Sequence, residues 1–147
     1  MRISQILRTK RPDVVIISPD ASIRSAIDLM KREHVGALVV VDEEQCLLGV
    51  VSERDIIQNL DFDSRGSLGT LVGTVMRIDG PVAHREDTLQ SVMEVMTANR
   101  ARHVPVVEYG HPIGIVSLGD VVKSRLDETI QENSVLQEIA RNHWMVS

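Results

Sequence analysis

The chain has 147 residues and a formal net charge of −5 at pH 7, and 43% of its residues are hydrophobic and 25% charged. This composition is typical of a globular domain and excludes an intrinsically disordered chain. The acidic balance and the aromatic content of 2% exclude the basic surfaces and stacking platforms of nucleic-acid binders. The chain has one cysteine, and no apolar run approaches the about 18 residues of a membrane span, so we expect a cytoplasmic protein without disulfides or membrane contacts.

The first half of the chain predicts alternating short strands and helices. A short N-terminal helix is followed by Arg8, Lys10 and Arg11, which we interpret as a solvated turn, the alternative being a patch for a membrane or a partner. Ser22 then precedes apolar residues at helical spacing, as expected of an N-cap and an amphipathic helix. β-Branched runs predict strands, and Ser52 opens a second helix. The predicted order is strand 14–17, helix from 23, strands 37–41 and 47–51, and helix from 52.

The second half of the chain repeats the first. Residues 49–55, with the sequence Gly-Val-Val-Ser-Glu-Arg-Asp, return 65 positions later as residues 114–120, Gly-Ile-Val-Ser-Leu-Gly-Asp. The residues before this string align at a shift of 66, so that Thr88 matches the N-cap Ser22. The one-residue deletion falls in a turn between two strands, where deletions are tolerated. The pattern therefore indicates an internal duplication. The second unit predicts strand 81–83, helix from 89, strands 104–107 and 113–116, and helix from 117.

Each repeat therefore predicts the order strand-helix-strand-strand-helix, which is an α/β (α+β) fold. A unit of roughly 60 residues is marginal alone, so we expect the repeats to pack face to face with pseudo-two-fold symmetry. Apolar and charged residues after position 120 predict a long amphipathic helix that reaches a second subunit. We divide the chain into residues 1–60 (first repeat), 61–74 (a linker, mainly 61–67, and the start of a short helix over 68–76), 75–126 (second repeat) and 127–147 (C-terminal helix extension).

The repeated serine and aspartate suggest two roles. Asp55 and Asp120 carry acceptor-only carboxylates, each of which can accept hydrogen bonds from both hydroxyls of a ribose, with Ser52 and Ser117 beside them. The same Ser-x-x-Asp spacing before an apolar run also matches a helix capping box. The duplication, together with the preceding strand and glycine, favours ligand binding, and the same residues can serve both roles.

The two repeats differ in their basic residues. Arg102 and His103 precede the central strand of the second repeat, where the first has glycine and alanine. Conversely, Arg54 lies inside the first motif, where the second has glycine, and Arg100 lies at a helix end. The planar donor fork of arginine suits phosphate oxygens. Basic residues at helix ends also complement the helix dipole, and the sequence supports both interpretations.

This pattern resembles the cystathionine-β-synthase (CBS) domain family in its tandem form, the Bateman module. The Gly-x-x-Ser-x-x-Asp strings are similar to the family's ribose-binding motif, and residues 104–120 resemble a repeat of the γ subunit of AMP-activated protein kinase. The resemblance covers residues 3–125, as in a stand-alone bacterial-type CBS pair. It implies adenosine-containing ligands, namely AMP, ADP, ATP, S-adenosylmethionine or NAD, held in clefts between the repeats.

The resemblance also implies roles for individual residues. It assigns phosphate binding to a basic pair at the position of Arg102 and His103. It assigns the adenine base to backbone and apolar side chains around the first strand of each repeat. Those residues are Val15, Ile16 and Ser18 in the first repeat and Pro81, Val82 and Ala83 in the second, with Val104 and Pro105 along the same cleft.

We therefore predict a non-enzymatic regulatory module that binds an adenine nucleotide between its repeats. Binding would shift the conformation or assembly of an unidentified partner, and we expect a homodimer. Ser117 and Asp120 are the preferred ribose clamp, with Arg102 and His103 at the phosphates and Arg54 as a further candidate there. The alternatives are an NAD(H) or S-adenosylmethionine sensor and a structural oligomerisation module without a ligand. We predict no catalytic residue and no metal site, because neither a nucleophile motif nor a metal-ligand spacing occurs.

Overall fold

The computed structural model describes residues 1–10, 14–60 and 67–146. Helix α1 (Ile3–Thr9) comes first in the chain. The first repeat then contains β1 (Ile16–Ile17), α2 (Ile23–Glu33), β2 (Ala37–Val41), β3 (Leu47–Ser52) and α3 (Glu53–Asn59). Strand β2 lies in the centre of the sheet, parallel to β1 and antiparallel to β3. Every residue of β2 is buried, as expected of a central strand that is β-branched along most of its length.

The second repeat has the same order of elements. A short helix, α4 (Val72–Val75), precedes it, and it contains α5 (Leu89–Asn99), β4 (His103–Glu108), β5 (His111–Ser117) and α6 (Leu118–Val146). The strand predicted at 81–83 is reduced to one parallel bridge between Ala83 and Val106. Ala83 N–H donates to Pro105 O and Ala83 O accepts from Val107 N–H, both at 2.9 Å. Apart from this shortened strand, the predicted order of elements is confirmed in both repeats.

The two amphipathic helices α2 and α5 begin at the predicted N-caps. The side chains of Ser22 and Thr88 each accept a hydrogen bond at 3.1 Å from the backbone N–H three residues later. Each bond satisfies one of the N–H groups that a helix start leaves unpaired. Both helices end at a residue in the left-handed conformation, His34 with φ of 56° and Arg100 with φ of 51°. Equivalent caps at both ends are further evidence of the duplication.

The two repeats exchange their preceding helices. Ile3 and Ile6 of α1 are buried in the core of the second repeat. Val72 and Val75 of α4 are buried in the core of the first repeat. Each core therefore contains side chains of the short helix that precedes the other repeat in the chain. This exchange explains how two units of marginal size form one stable body.

The structure also corrects the prediction of a single helix over residues 68–76. The structure has a 3-10 turn at Ser67–Gly69, then an antiparallel bridge between Leu71 and Ser22, and only then α4. At this bridge two hydrogen bonds of 2.8 Å join residues 70–72 to residues 21–23, and backbone groups bonded in this way cannot continue a helix. An equivalent bridge joins Arg2 to Thr88 in the other half. The predicted linker at 61–67 lies outside the described residues except for position 67.

Helix α6 is 29 residues long, which confirms the predicted C-terminal helix. Val121 in its first turns is fully buried, whereas all residues from 129 to 142 are exposed. The second half of α6 therefore extends beyond the body formed by the two repeats. No helix in the described ranges combines the length and the hydropathy needed to cross a membrane.

Candidate functional site

Both repeated motifs form reciprocal helix caps. Ser52 Oγ accepts a hydrogen bond from Asp55 N–H at 3.2 Å, while Asp55 Oδ2 accepts from Ser52 N–H and Oγ at 3.0 and 2.8 Å. Likewise, Ser117 Oγ accepts from Asp120 N–H at 3.1 Å, and Asp120 Oδ2 accepts from Ser117 N–H at 2.8 Å. The capping-box interpretation is therefore confirmed for both. Within the described residues, Oδ1 of neither aspartate accepts a hydrogen bond, which leaves that oxygen available to a ligand.

A backbone hydrogen bond joins each motif to the entrance of its own central strand. Glu53 N–H donates to Gly36 O at 3.0 Å, and Leu118 N–H donates to Arg102 O at 2.7 Å. Gly36 and Arg102 are equivalent in the two repeats. Each motif aspartate therefore lies close to the residues that precede β2 or β4, which is where the repeats differ in charge.

A cleft of about 730 Å³ lies between the repeats. Its volume falls within the about 300–1,000 Å³ that is usual for small-molecule sites. Both repeats contribute to its walls. Its charged and polar lining residues are Ser52, Glu53, Arg54, Asp55, Gln58, Arg77, Asp79, Arg100, Arg102 and His103. Its other lining residues are Gly36, Leu47, Leu48, Gly49, Val50, Gly80, Pro81, Val82, Ala101 and Pro105.

Four arginines line this cleft. Arg54 comes from α3, Arg77 follows α4, and Arg100 and Arg102 lie between α5 and β4. All four are exposed, and none forms an ion pair with another described residue. Only three acidic side chains line the same cleft, so its charge is positive with His103 neutral. The arrangement suits an anion of more than one negative charge.

His103 is the one titratable ring in this cleft. Its burial and, to a smaller extent, the charge of Lys10 lower the pKa of His103. The carboxylates of Asp120, Glu53 and Asp55 act in the opposite direction and do not compensate for the burial. The imidazole is therefore neutral at neutral pH in the free protein. It can donate one hydrogen bond to a ligand and can take up a proton if the ligand brings a negative charge.

The sequence predicts that Asp120 groups with Arg102 and His103, but Arg102 and Asp120 do not share a cleft, whereas His103 pairs with Ser117 in the sheet and the carboxylate of Asp120 acts on its pKa. Arg102 and His103 line the cleft that contains Asp55, whereas Ser117 and Asp120 are not among its lining residues. Among the described residues, the hydrogen bond that joins Arg102 to the second motif uses its backbone carbonyl. Because the repeats face one another, its side chain lies beside the motif of the other repeat.

Asp120 instead has a partner from the N-terminal segment. Lys10 Nζ lies 2.6 Å from Asp120 Oδ2 and donates to Ile115 O at 2.6 Å. Burial by itself would raise the pKa of Asp120, but the hydrogen bonds from Lys10 and Ser117 outweigh it, so that the pKa of Asp120 is lowered. Lys10 is therefore not part of a solvated turn, because its ammonium group is turned towards the second repeat.

The residues expected to surround adenine divide into three groups. Val82 and Pro105, together with Pro81, line the cleft of Asp55. Ala83 and Val104 belong to the hydrophobic core of the second repeat and are only 1% and 0% exposed. The remaining three do not line this cleft; they are Val15, Ile16 and Ser18.

Arg77 lines the cleft although it was not among the predicted residues. Val50 N–H donates to Arg77 O at 3.1 Å, and Arg77 N–H donates to Val50 O at 2.8 Å. This approach requires Gly49, since a Cβ at that position would lie 2.5 Å from Arg77 O. One signal was available in the sequence: Arg77 and Arg11 are equivalent at the shift of 66, so the arginine is repeated. The lining residues Leu47 and Leu48 are ordinary strand residues and carried no such signal.

Two βαββα repeats with exchanged helices and a cleft between them define a tandem regulatory-domain architecture, and comparison with known proteins identifies the family. The CBS domain family matches residues 3–61 and 72–127, and the chain belongs to this family. The mitochondrial CBS domain-containing protein CBSX3 of Arabidopsis thaliana is 37% identical over 117 residues, which cover 77% of this chain and 57% of CBSX3. The chain therefore spans somewhat more than half the length of that relative.

Solved structures show the same fold. The CBS-domain containing protein ATU1752 from Agrobacterium tumefaciens superposes with a TM-score of 0.79 at 37% identity and covers 85% of this chain and 99% of its own. The CBS domain protein PAE2072 from Pyrobaculum aerophilum, which is complexed with AMP, has a TM-score of 0.69 at 29% identity, covering 82% and 89% of the two chains. These neighbours confirm the predicted tandem CBS pair.

Proposed function

We propose that this protein is a regulatory module that binds an adenine nucleotide of the AMP, ADP or ATP class in the cleft of Asp55. One observation carries the proposal: this cleft combines a carboxylate whose Oδ1 accepts no hydrogen bond from the described residues, arginines without ion-pair partners among those residues, and an apolar wall. These features match the ribose, the phosphate and the base of a nucleotide. The AMP complex of the related Pyrobaculum aerophilum protein supports the choice of ligand.

The ribose is assigned to Asp55. Its Oδ2 atom is held by Ser52, so the orientation of the carboxylate is fixed before a ligand arrives. Its Oδ1 atom can then accept hydrogen bonds from the ribose hydroxyls, and bonds to a charged acceptor are stronger than neutral ones. In this way the cap and the ribose site use different oxygens of one side chain.

The base is assigned to the segment around Val82. Ala83 uses its N–H and C=O to pair with β4. Successive residues of an extended chain direct these groups to opposite sides, and no backbone hydrogen bond joins Val82 to another described residue. Val82 therefore offers one donor and one acceptor at the cleft, which is what the edge of adenine requires. Leu48 and Pro81 provide apolar contact for its faces.

The phosphate is assigned to the arginines. Arg100 and Arg102 come from the second repeat, Arg54 comes from α3 of the first repeat, and the backbone of Arg77 pairs with β3 of the first repeat. Because arginine binds phosphate oxygens through two parallel N–H groups, two or three of these side chains suffice for one phosphate group. His103 adds a neutral donor. The remaining arginines would meet further phosphates in ADP or ATP.

A ligand in this cleft contacts both repeats at once. Asp55 and Arg54 belong to the first repeat, whereas Val82 and Arg102 belong to the second. Binding therefore stabilises one relative arrangement of the repeats over the others. We propose that this shift, rather than a chemical reaction, is the output that a regulated partner senses.

We further propose that the protein acts as a homodimer. Exposed apolar residues recur every fourth position along α6, and Ile57 of α3, equivalent to Val122, is 65% exposed. Contiguous exposed apolar surface of this kind marks an association site. Its helical spacing suits packing against a second helix of the same kind. The stripe on α6 consists of Leu118, Val122, Leu126 and Ile130.

Isothermal titration calorimetry against AMP, ADP, ATP, NADH and S-adenosylmethionine tests the ligand class. We expect heat with at least one of the three adenine nucleotides. Preferential binding of NADH or S-adenosylmethionine would support the alternative sensors. No heat with any of the five at millimolar concentration would contradict the proposal and favour a structural module.

Asp55→Ala tests the assigned site. It removes the charged acceptor of the ribose, and hydrogen bonds to charged groups contribute about 1.5–3 kcal/mol each, so nucleotide affinity should fall about 10- to 150-fold. Asp120→Ala is the matched control, since it removes the same helix cap in the other repeat. We expect it to leave affinity nearly unchanged. A larger loss with Asp120→Ala would place the ribose at the second motif.

A further inference from the structure

One carboxylate in the cleft of Asp55 has no partner among the described residues. Three acidic side chains line this cleft, and Asp55 itself caps α3 and is assigned to the ribose. Asp79 lies in the loop that leads to the base segment around Val82. Glu53, the first residue of α3, is exposed, and its carboxylate forms no hydrogen bond or ion pair with another described residue. Its charge is therefore left to act on a ligand.

Glu53 approaches His103 across the boundary between the repeats. A Cβ built at Gly36 would lie 3.9 Å from Glu53 Oε2 and 3.7 Å from His103 Nε2, so side chains of different repeats converge on one point. The pKa of His103 is lowered by burial, and the carboxylate of Glu53 is one of the charges that oppose this shift. The backbone of Glu53 is held here because its N–H donates to Gly36 O at 3.0 Å. The carboxylate therefore lies in the part of the cleft to which the phosphate is assigned.

The helix cap does not require an acid at position 53. The cap of α3 uses Ser52 and Asp55, whose backbone and side chains bond each other. The equivalent of Glu53 in the second motif is Leu118, and that motif forms its reciprocal cap without a charge at this position. The carboxylate of Glu53 is therefore specific to the cleft that contains the four arginines.

A carboxylate beside a phosphate repels each of its negative charges. For two unit charges about 6 Å apart and an effective dielectric constant of about 40–80, this repulsion weakens binding about 3- to 10-fold. ADP and ATP bring more negative charge than AMP, so the repulsion grows with the number of phosphate groups. The arginines act in the opposite direction, because they attract the nucleotide of highest charge most strongly.

We propose that Glu53 is a specificity-determining residue that makes the cleft select AMP over ADP and ATP. The inference rests on the proposed function, because it assumes that an adenine nucleotide binds here with its phosphate near His103. It adds that the number of phosphate groups is selected by one repulsive charge among the arginines.

Titration calorimetry with AMP and ATP tests the inference. At about pH 8 the phosphate of AMP is fully ionised, and EDTA with low ionic strength keeps metal ions and screening from masking the repulsion. The unaltered chain should bind AMP more tightly than ATP. Glu53→Gln and Glu53→Ala should each shift the ratio of the two dissociation constants towards ATP by at least about threefold. Glu53→Asp, which keeps the charge, should keep the preference for AMP. Glu43→Gln, which removes an exposed carboxylate in the turn between β2 and β3, should leave both affinities unchanged.

The outcomes separate the two proposals. The role of Glu53 would be overturned by tighter binding of ATP than of AMP to the unaltered chain, or by a ratio that both Glu53→Gln and Glu53→Ala leave unchanged with intact circular dichroism. A shift of the ratio towards AMP in these variants would overturn it as well. In each of these cases the nucleotide site itself stands. No binding of either nucleotide to the unaltered chain would instead overturn the proposed function.

Discussion

Gly49→Ala tests the close approach between β3 and the segment that carries Arg77. The added Cβ would lie 2.5 Å from Arg77 O and 3.3 Å from Arg77 C, so the backbone has to move by about 0.5 Å before the contact reaches 3.0 Å. That movement strains the two hydrogen bonds between Val50 and Arg77, each of which contributes about 0.5–1.5 kcal/mol. Alanine is otherwise favoured over glycine in a strand by about 0.5–1 kcal/mol. We therefore expect a net destabilisation of about 1–2 kcal/mol.

Gly114→Ala is the internal control, because Gly114 is equivalent to Gly49. Its Cβ would meet the Cδ2 atom of Leu7 at 2.7 Å, and the three nearest atoms all belong to the Leu7 side chain. A side-chain end can turn away at a cost of about 0.5–1.5 kcal/mol, which the strand preference for alanine partly offsets. Urea unfolding followed by circular dichroism should therefore place Gly49→Ala below Gly114→Ala in stability.

The same pair of variants reports on the site. Gly49→Ala moves Arg77 in the nucleotide cleft, so calorimetry should show weaker AMP binding, whereas Gly114→Ala should bind AMP as the unaltered chain does. If Gly49→Ala were as stable as the unaltered chain, or less destabilised than Gly114→Ala, the reasoning from the 2.5 Å contact would be refuted.

Two further predictions concern the cleft and the dimer. Because the pKa of His103 is lowered in the free protein, a bound phosphate should raise it again and AMP should bind more tightly as the pH falls from 7.5 to 5.5. Each unit by which the pKa of His103 rises on binding strengthens AMP binding by at most about tenfold. If a His103→Gln variant shows the same pH dependence, the dependence comes from the titration of AMP itself. The double variant Leu126→Glu with Ile130→Glu should be a monomer by light scattering after size-exclusion chromatography. Gln131→Glu, on a different face of α6, should remain a dimer, and a double variant of unchanged mass would exclude the stripe as the interface.

Features that depend on neighbouring residues were predictable from the sequence. Ser22 and Thr88 mark helix starts because a side-chain oxygen has to meet a backbone N–H three residues later. The central strand 37–41 follows from an apolar, mostly β-branched run. Both halves share these local patterns, which shows the duplication. The duplication in turn predicted the tandem architecture and the family. The reciprocal caps at Asp55 and Asp120 also followed from spacing alone.

Features that depend on how the halves face each other were not predictable. The sequence placed Arg102 with Asp120 because the two are close along the chain, but the side chain of Arg102 lies in the cleft of Asp55. In the same way, Lys10 pairs with a residue 110 positions away. The contact of Lys10 arises because α1 packs in the core of the second repeat, which carries the residue after this helix to the second motif.

The sequence by itself determined the two βαββα repeats, their caps and the chemical groups available to a ligand, since these follow from backbone periodicity and short-range hydrogen bonds. Only the tertiary structure decided which of those groups share a cleft. Packing two similar repeats face to face joins side chains by position in space, which puts the side chain of Arg102 in the cleft of Asp55 and Lys10 against Asp120.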